Sequence, residues 1–176
     1  MLTTVYRLTL AFSITVFTFL TACTQPTDAR IEKKTYDKML QKLLSHTVPE
    51  VSVSEAKQLK DAVFLDAREP EEYQVSHIAK AQFVGYDHFD MKTVKGIDKN
   101  QKIVVYCSVG YRSEKISEQL LAAGFTDVSN LYGGIFEWKN QDQEVVDAQG
   151  KTEKVHAYDR LWGVWLKEGE KVYKIE

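Results

Sequence analysis

The run Ile103-Val104-Val105-Tyr106 passes straight into Cys107-Ser108-Val109-Gly110-Tyr111-Arg112-Ser113 and from there into the amphipathic segment 114–123. Four consecutive apolar residues fit a strand buried on both faces. Ile116, Leu120 and Leu121 fall on one helical face, and Gly124 suits the end of that helix. Ser113 is the expected N-cap. Other short apolar strands precede and follow: Ala62-Val63-Phe64-Leu65, Gln82-Phe83-Val84 and Val128-Ser129-Asn130-Leu131. Between them lie helical segments. Ser54 is placed to cap a short helix through Lys60, Pro70 sits in the first turn of a helix over Pro70 to Ser76, and a short helix over Ile135 to Lys139 follows Gly133-Gly134. This alternation predicts an α/β fold with a central parallel sheet and helices on both faces. Ligands bind such sheets at the carboxyl ends of the strands, where Asp66 and Cys107 both fall.

Cys107 sits where a strand ends and a helix begins, so its sulfur faces the free amides of a helix N-terminus, a ready cradle for an anion. A free cysteine is most often a small buried hydrophobe. Two neighbours favour chemistry here: Gly110 admits left-handed backbone inside the loop, and Arg112 returns a fixed positive charge toward the site. Asp66 and Arg68 read equally well as a structural ion pair or as supports of the site. His46, His77, His88 and His156 share no metal-ligand spacing and read as caps, turn residues or surface groups.

Several linked motifs carry a family resemblance. Asp66-Ala67-Arg68-Glu69-Pro70-Glu71-Glu72-Tyr73, then His77-Ile78 and Ala81, then Cys107 to Ser113, then Leu131-Tyr132-Gly133-Gly134 and Trp138 resemble the rhodanese family of sulfurtransferases in order and spacing over residues 51–140. Lys80 departs from the family, which usually has glycine there. The resemblance implies a rhodanese-like fold and transfer of sulfane sulfur through a persulfide on Cys107. Ser108, Val109, Gly110, Tyr111 and Arg112 would form the active-site loop, and Ser113, Asp66 and Arg68 would border it. No metal or organic cofactor is implied. The expected partners are a small sulfur donor, such as thiosulfate, a persulfide or a polysulfide, and a thiol or cyanide acceptor. Val109 and Tyr111 make this loop less cationic than loops with several basic residues, which disfavours thiosulfate relative to a persulfide or polysulfide.

Two other classes fit parts of the pattern. Cysteine phosphatases and arsenate reductases use the same cysteine-to-arginine logic, but their signature holds five residues between the two, whereas Cys107 and Arg112 enclose residues 108–111. A non-enzymatic binding module would have no use for a cysteine poised on a helix. The chain of 176 residues, 44% hydrophobic and 27% charged, can bury one core and hardly two. Its formal net charge of -2 leaves no basic footprint for nucleic acid.

The N-terminus carries a different signal. Leu8 to Leu20 is almost wholly apolar, follows Arg7 and is too short to span a bilayer comfortably. It ends in Leu20-Thr21-Ala22-Cys23, which resembles a bacterial lipobox, so residues 1–22 read as a lipoprotein signal peptide and Cys23 as the lipidated residue. Thr24-Gln25-Pro26-Thr27-Asp28 would then be a polar tether, anchoring the protein to a membrane of the bacterial cell envelope and facing the periplasm or exterior. Of the 2 cysteines in the chain, Cys107 would be the only free thiol, with no internal disulfide available.

The expected organisation is thus a signal peptide over 1–22, a tether and amphipathic helix over 23–50, a rhodanese-like domain over 51–140 and an aromatic extension over 141–176. Within the second segment, Ile31 to His46 has helical apolar spacing at Met39-Leu40 and Leu43-Leu44. In the extension, Asp147-Ala148-Gln149-Gly150 reads as a turn. Gly163-Val164-Trp165-Leu166 and Lys171-Val172-Tyr173-Lys174-Ile175, parted by Glu168-Gly169, read as a β-hairpin. Tyr158, Trp162, Trp165 and Tyr173 are expected to pack on the domain, with a second reading in which this aromatic group edges the active site or docks a partner.

Overall fold

The computed structural model describes residues 34–174. The apolar N-terminal run and Cys23 lie outside the described residues. Among the described residues no helix is long and apolar enough to cross a membrane.

Five parallel strands form the sheet in the order β1 (Glu50–Val51), β5 (Val128–Leu131), β4 (Ile103–Tyr106), β2 (Val63–Asp66), β3 (Gln82–Phe83). β4 is central and fully buried, which is why it reads as an unbroken apolar run. Its residues alternate between two apolar layers. Val104 and Tyr106 face one with Tyr36 and Leu40 of α1 (Lys34–Leu43) and Ile135 and Phe136 of α5 (Gly134–Asn140). Ile103 and Val105 face the other with Ile116 and Leu120 of α4 (Tyr111–Ala122). This is the expected α/β architecture.

Two short helices connect the remaining strands. Ser52, not Ser54, caps α2 (Val53–Ala56), because its side chain accepts from the Glu55 amide while the Glu55 carboxylate returns to the Ser52 amide. Pro70 opens α3 (Pro70–Val75), as its fixed φ allows at a first helical position. Lys80 keeps a left-handed backbone at φ 64°, so the turn that glycine usually makes survives with a lysine in it.

The extension carries a β-hairpin, but earlier in the chain than its turn signals suggest. Asp147 to Gly150 does turn, joining β6 (Val145–Asp147) to β7 (Gly150–Thr152) in an antiparallel pair. Residues 163–174, expected to form the hairpin, do not: Trp162–Trp165 winds into a 3-10 helix, and β9 (Glu170–Val172) pairs in parallel with β8 (Lys154–His156). Tertiary pairing with an earlier strand has overridden the local turn signal at Glu168-Gly169. Val145, Val155, Ala157 and Leu166 are buried in the same apolar layer as Tyr36 and Val104, and Trp165 stacks on Tyr36 at 5.2 Å between ring centroids.

Candidate active site

Cys107 directly follows the central strand and is only 1% exposed. Its Sγ accepts a hydrogen bond from the Gly110 amide at 3.1 Å, so the loop turns one of its own backbone donors back onto the sulfur. Gly110 holds φ 115° and is itself the N-cap of α4. Ser113, expected in that role, stands inside the first turn and donates its hydroxyl to Asn130 Oδ1 at 2.7 Å. Asn130 Nδ2 in turn donates to the Gly110 carbonyl at 3.0 Å. A glycine can cap because its backbone reaches angles that a serine would adopt only under strain.

A second helix start holds the loop from the other side. The amides of Ile135 and Phe136 donate to the carbonyls of Cys107 and Ser108 at 2.8 and 3.1 Å. Gly134 makes this approach possible: a Cβ there would lie 2.6 Å from the Ser108 carbonyl oxygen and closer still to that of Cys107. The Tyr36 hydroxyl donates to the Gly133 carbonyl at 3.0 Å, which ties α1 to the same junction.

Arg112 does not stand free above the sulfur. Its guanidinium makes a two-pronged pair with Glu72, Nη1 to Oε2 at 2.6 Å and Nη2 to Oε1 at 2.8 Å, and also donates to Ser108 Oγ at 3.0 Å. The Ser108 hydroxyl and the Glu69 amide donate to the same carboxylate at 2.8 and 3.0 Å. Burial pushes the Glu72 carboxyl up, but hydrogen bonding and charge from Arg112, with Arg68 adding to them, outweigh it and hold its pKa at about 2. Glu72 thus fixes the loop to α3 and offsets the positive charge of Arg112. It lies within the Asp66 to Tyr73 motif, yet nothing in the spacing of that motif shows that its carboxylate reaches residues 108 and 112.

Asp66 and Arg68 form a completely buried ion pair, Nη2 to Oδ2 at 2.6 Å, and Arg68 donates to the Ser76 carbonyl at 2.6 Å. The guanidinium lies 5.7 Å from the Tyr106 ring centroid. Neither residue lines the cavity above Cys107. They thus form the ion pair of the first reading, and Arg68 adds its charge to those that keep Glu72 ionised. Among the described residues no group of three or more metal-ligating side chains converges.

Above Cys107 opens a cavity of about 350 Å³. Cys107 lines it together with Ser108, Val109, Tyr111 and Arg112 of the same loop and with Glu69. Tyr86 and Asp87, which follow β3, line it as well. Leu43 of α1 and two residues of the extension, Tyr158 and Trp162, complete it. The Tyr158 ring lies 5.2 Å from the Arg112 guanidinium carbon, and its backbone holds φ 63°. The Tyr158 amide donates to Nδ1 of His156 at 3.2 Å, while burial holds that imidazole below its ordinary pKa. The aromatic extension therefore meets both of its expected readings: Trp165 packs on the domain, while Tyr158 and Trp162 edge the site.

Fold and site together define a parallel α/β protein with one cysteine cradled at the end of its central strand. The rhodanese-like domain family matches residues 52–141, just over half of the chain, and the chain belongs to that family. Curated relatives include the tRNA uridine(34) hydroxylase of Enterobacter sp. (strain 638), 36% identical over 89 residues, which are 48% of this chain and 26% of that protein. The enzyme of the same name from Aster yellows witches'-broom phytoplasma is 35% identical over 124 residues, covering 67% of this chain and 39% of the relative. The match thus spans between a quarter and two fifths of these relatives. Among solved structures, thiosulfate sulfurtransferase from Pseudomonas aeruginosa superposes with a TM-score of 0.55 at 24% identity, over 65% of this chain and 23% of that one, and shares the fold. A rhodanese-related protein from Thermoplasma volcanium superposes with a TM-score of 0.51 at 26% identity, over 56% and 97% of the two chains.

Proposed function

We propose that the protein is a sulfurtransferase that carries sulfane sulfur as a persulfide on Cys107. The observation that carries this reading is the placement of the Cys107 sulfur: the residue lines the cavity, its Sγ accepts from the Gly110 amide, and the loop it opens is held between two helix starts. The Cys107 thiolate attacks the outer sulfur of a donor. With thiosulfate, the new S–S bond forms as the old one breaks, and sulfite leaves with the electron pair. The Gly110 amide, already placed on the sulfur, receives the persulfide anion without reorganisation. An acceptor then attacks the outer sulfur: cyanide leaves as thiocyanate, a thiol leaves as a new persulfide, and the Cys107 thiolate returns. Splitting the transfer into two displacements lowers each barrier.

The reading does not take over tRNA hydroxylation from the relatives that bear that name. A net charge of -2 offers no electrostatic footprint for a polyanion. It does include attachment to a membrane of the bacterial envelope through a lipidated Cys23, supported by the apolar run and the Leu20-Thr21-Ala22-Cys23 site. Cys23→Ser should release or misprocess the protein, and finding mature chains that retain residues 1–22 would overturn the anchor.

The central test is a mass measurement after incubation with a sulfane-sulfur donor. Cys107 should gain about 32 Da, one sulfur, and lose it to cyanide or a reducing thiol. Cys107→Ser should abolish both the gain and thiocyanate formation. Full turnover in that variant, or phosphate-ester hydrolysis without sulfur transfer, would reject the mechanism.

A further inference from the structure

Part of the cavity wall comes from outside the span that defines the family. Tyr158 and Trp162 lie beyond residue 141, where the family match ends, yet both line the space above Cys107. Tyr158 reaches that place at a cost: its backbone holds φ 63°, a left-handed conformation that a tyrosine rarely adopts, kept by the hydrogen bond from its amide to His156. Backbone strain retained at the edge of a reactive site is a sign that the side chain is being aimed. What it is aimed over is the Arg112 guanidinium, the one cationic side chain among the described residues that line the cavity.

That cation is already spent. Glu72 pairs with it at 2.6 and 2.8 Å, Glu69 approaches it to 4.0 Å, and Asp87 adds a further carboxylate to the lining. Three carboxylates against one guanidinium repel a small dianion, whereas the aromatic rings offer apolar area to a carbon group. We infer that Tyr158 and Trp162 select organic sulfane-sulfur donors, which carry an apolar carbon group and bear at most one negative charge. The inference rests on the sulfurtransferase reading and names the substrate class of that same site. The carbon group packs between the extension and Leu43 while the outer sulfur points down to Cys107.

Thiosulfonates test this with the reacting group held constant. The Cys107 thiolate attacks the terminal sulfur of R–SO2–S⁻, the bond between that sulfur and the sulfonyl sulfur breaks, and the sulfinate R–SO2⁻ leaves with the electron pair. Benzenethiosulfonate and methanethiosulfonate differ only in their carbon group, and thiosulfate carries an added charge in its place. The wild-type protein should favour the benzene over the methane compound by at least about tenfold in kcat/KM, the scale on which an apolar pocket discriminates, with thiosulfate poorer than either. Tyr158→Gly, which relieves the left-handed strain and so leaves folding intact, should bring the ratio of benzene to methane close to one through KM. Trp162→Ala should act in the same direction. A wild-type ratio near one, or a ratio unchanged in both variants, overturns the inference and leaves the sulfurtransferase reading standing. If none of the three donors places sulfur on Cys107, the sulfurtransferase reading itself falls.

Discussion

Glu72 decides the electrostatics of the loop. Its carboxylate receives Arg112, the Ser108 hydroxyl and the Glu69 amide, so it sits between the nucleophile loop and α3 with its acceptor capacity filled. Removing one partner of a buried pair leaves the other charge uncompensated, which typically costs about 3–5 kcal/mol. Glu72→Ala should therefore lower stability in denaturant titration by that amount, because the Arg112 guanidinium and the Ser108 hydroxyl lose their acceptor together. Arg112→Ala should weaken transfer from an anionic donor, because it leaves the Glu72, Glu69 and Asp87 carboxylates without the guanidinium that offsets them. Acid stability carries the same signature. Glu72 is held at about 2 in the folded chain against an ordinary 4.5, so its contribution is complete above the ordinary value and is lost as pH falls from about 4.5 toward 2. That contribution is of the order of 3 kcal/mol, because each tenfold change in proton affinity corresponds to about 1.4 kcal/mol. Glu72→Gln should flatten this limb of a stability-against-pH curve, and an unchanged limb would assign acid lability to other carboxylates.

Among the elements, the starts of α4 and α5 meet on residues 107–110, and both junctions are built on glycine. They differ in what a side chain would meet. At Gly110 a Cβ would find Asn130 and Leu44 at ordinary contact distances of 3.5 and 3.6 Å, so the obstacle is the φ of 115° alone. At Gly134 the left-handed angle coincides with backbone carbonyls inside contact distance, which cannot move without dragging Cys107 and Ser108. Gly110→Ala should thus cost about 1–2 kcal/mol, the usual penalty for an alanine in left-handed backbone. Gly134→Ala should cost more and also lower kcat, because the floor of the site must shift to admit the methyl. Thermal melts and turnover of the two variants check the order, and a milder effect at Gly134 would show that α5 does not hold the loop.

For the whole molecule, the extension belongs to the core. Leu166 is fully buried beside Tyr36 and Val104, and Asn140 at the end of α5 donates to the Trp165 carbonyl at 2.9 Å. Leu166→Ala should cost about 2–5 kcal/mol, as for any buried leucine, in a single cooperative unfolding transition. A cost below about 1 kcal/mol, or a separate early transition, would show that residues 141–174 dock loosely.

Features that depend on neighbours along the chain are legible without any fold. Ile103 to Tyr106 had to be a buried parallel strand because every residue in it is apolar, and Cys107 had to face a helix start because Gly110 and the amphipathic segment follow directly. The order of strands and helices, and the family resemblance over residues 51–140, were readable for the same reason. Local patterns misplaced two caps, giving α2 to Ser54 and α4 to Ser113, since any small polar residue near a helix start looks like a cap until backbone angles distinguish them. Long-range pairing, by contrast, emerged only in three dimensions. Glu72 meets Arg112 across 40 residues, β8 takes β9 as its parallel partner, and Tyr158 and Trp162 come to stand over Cys107. Such contacts depend on where the sheet carries each segment in space, and no periodicity along the chain records that.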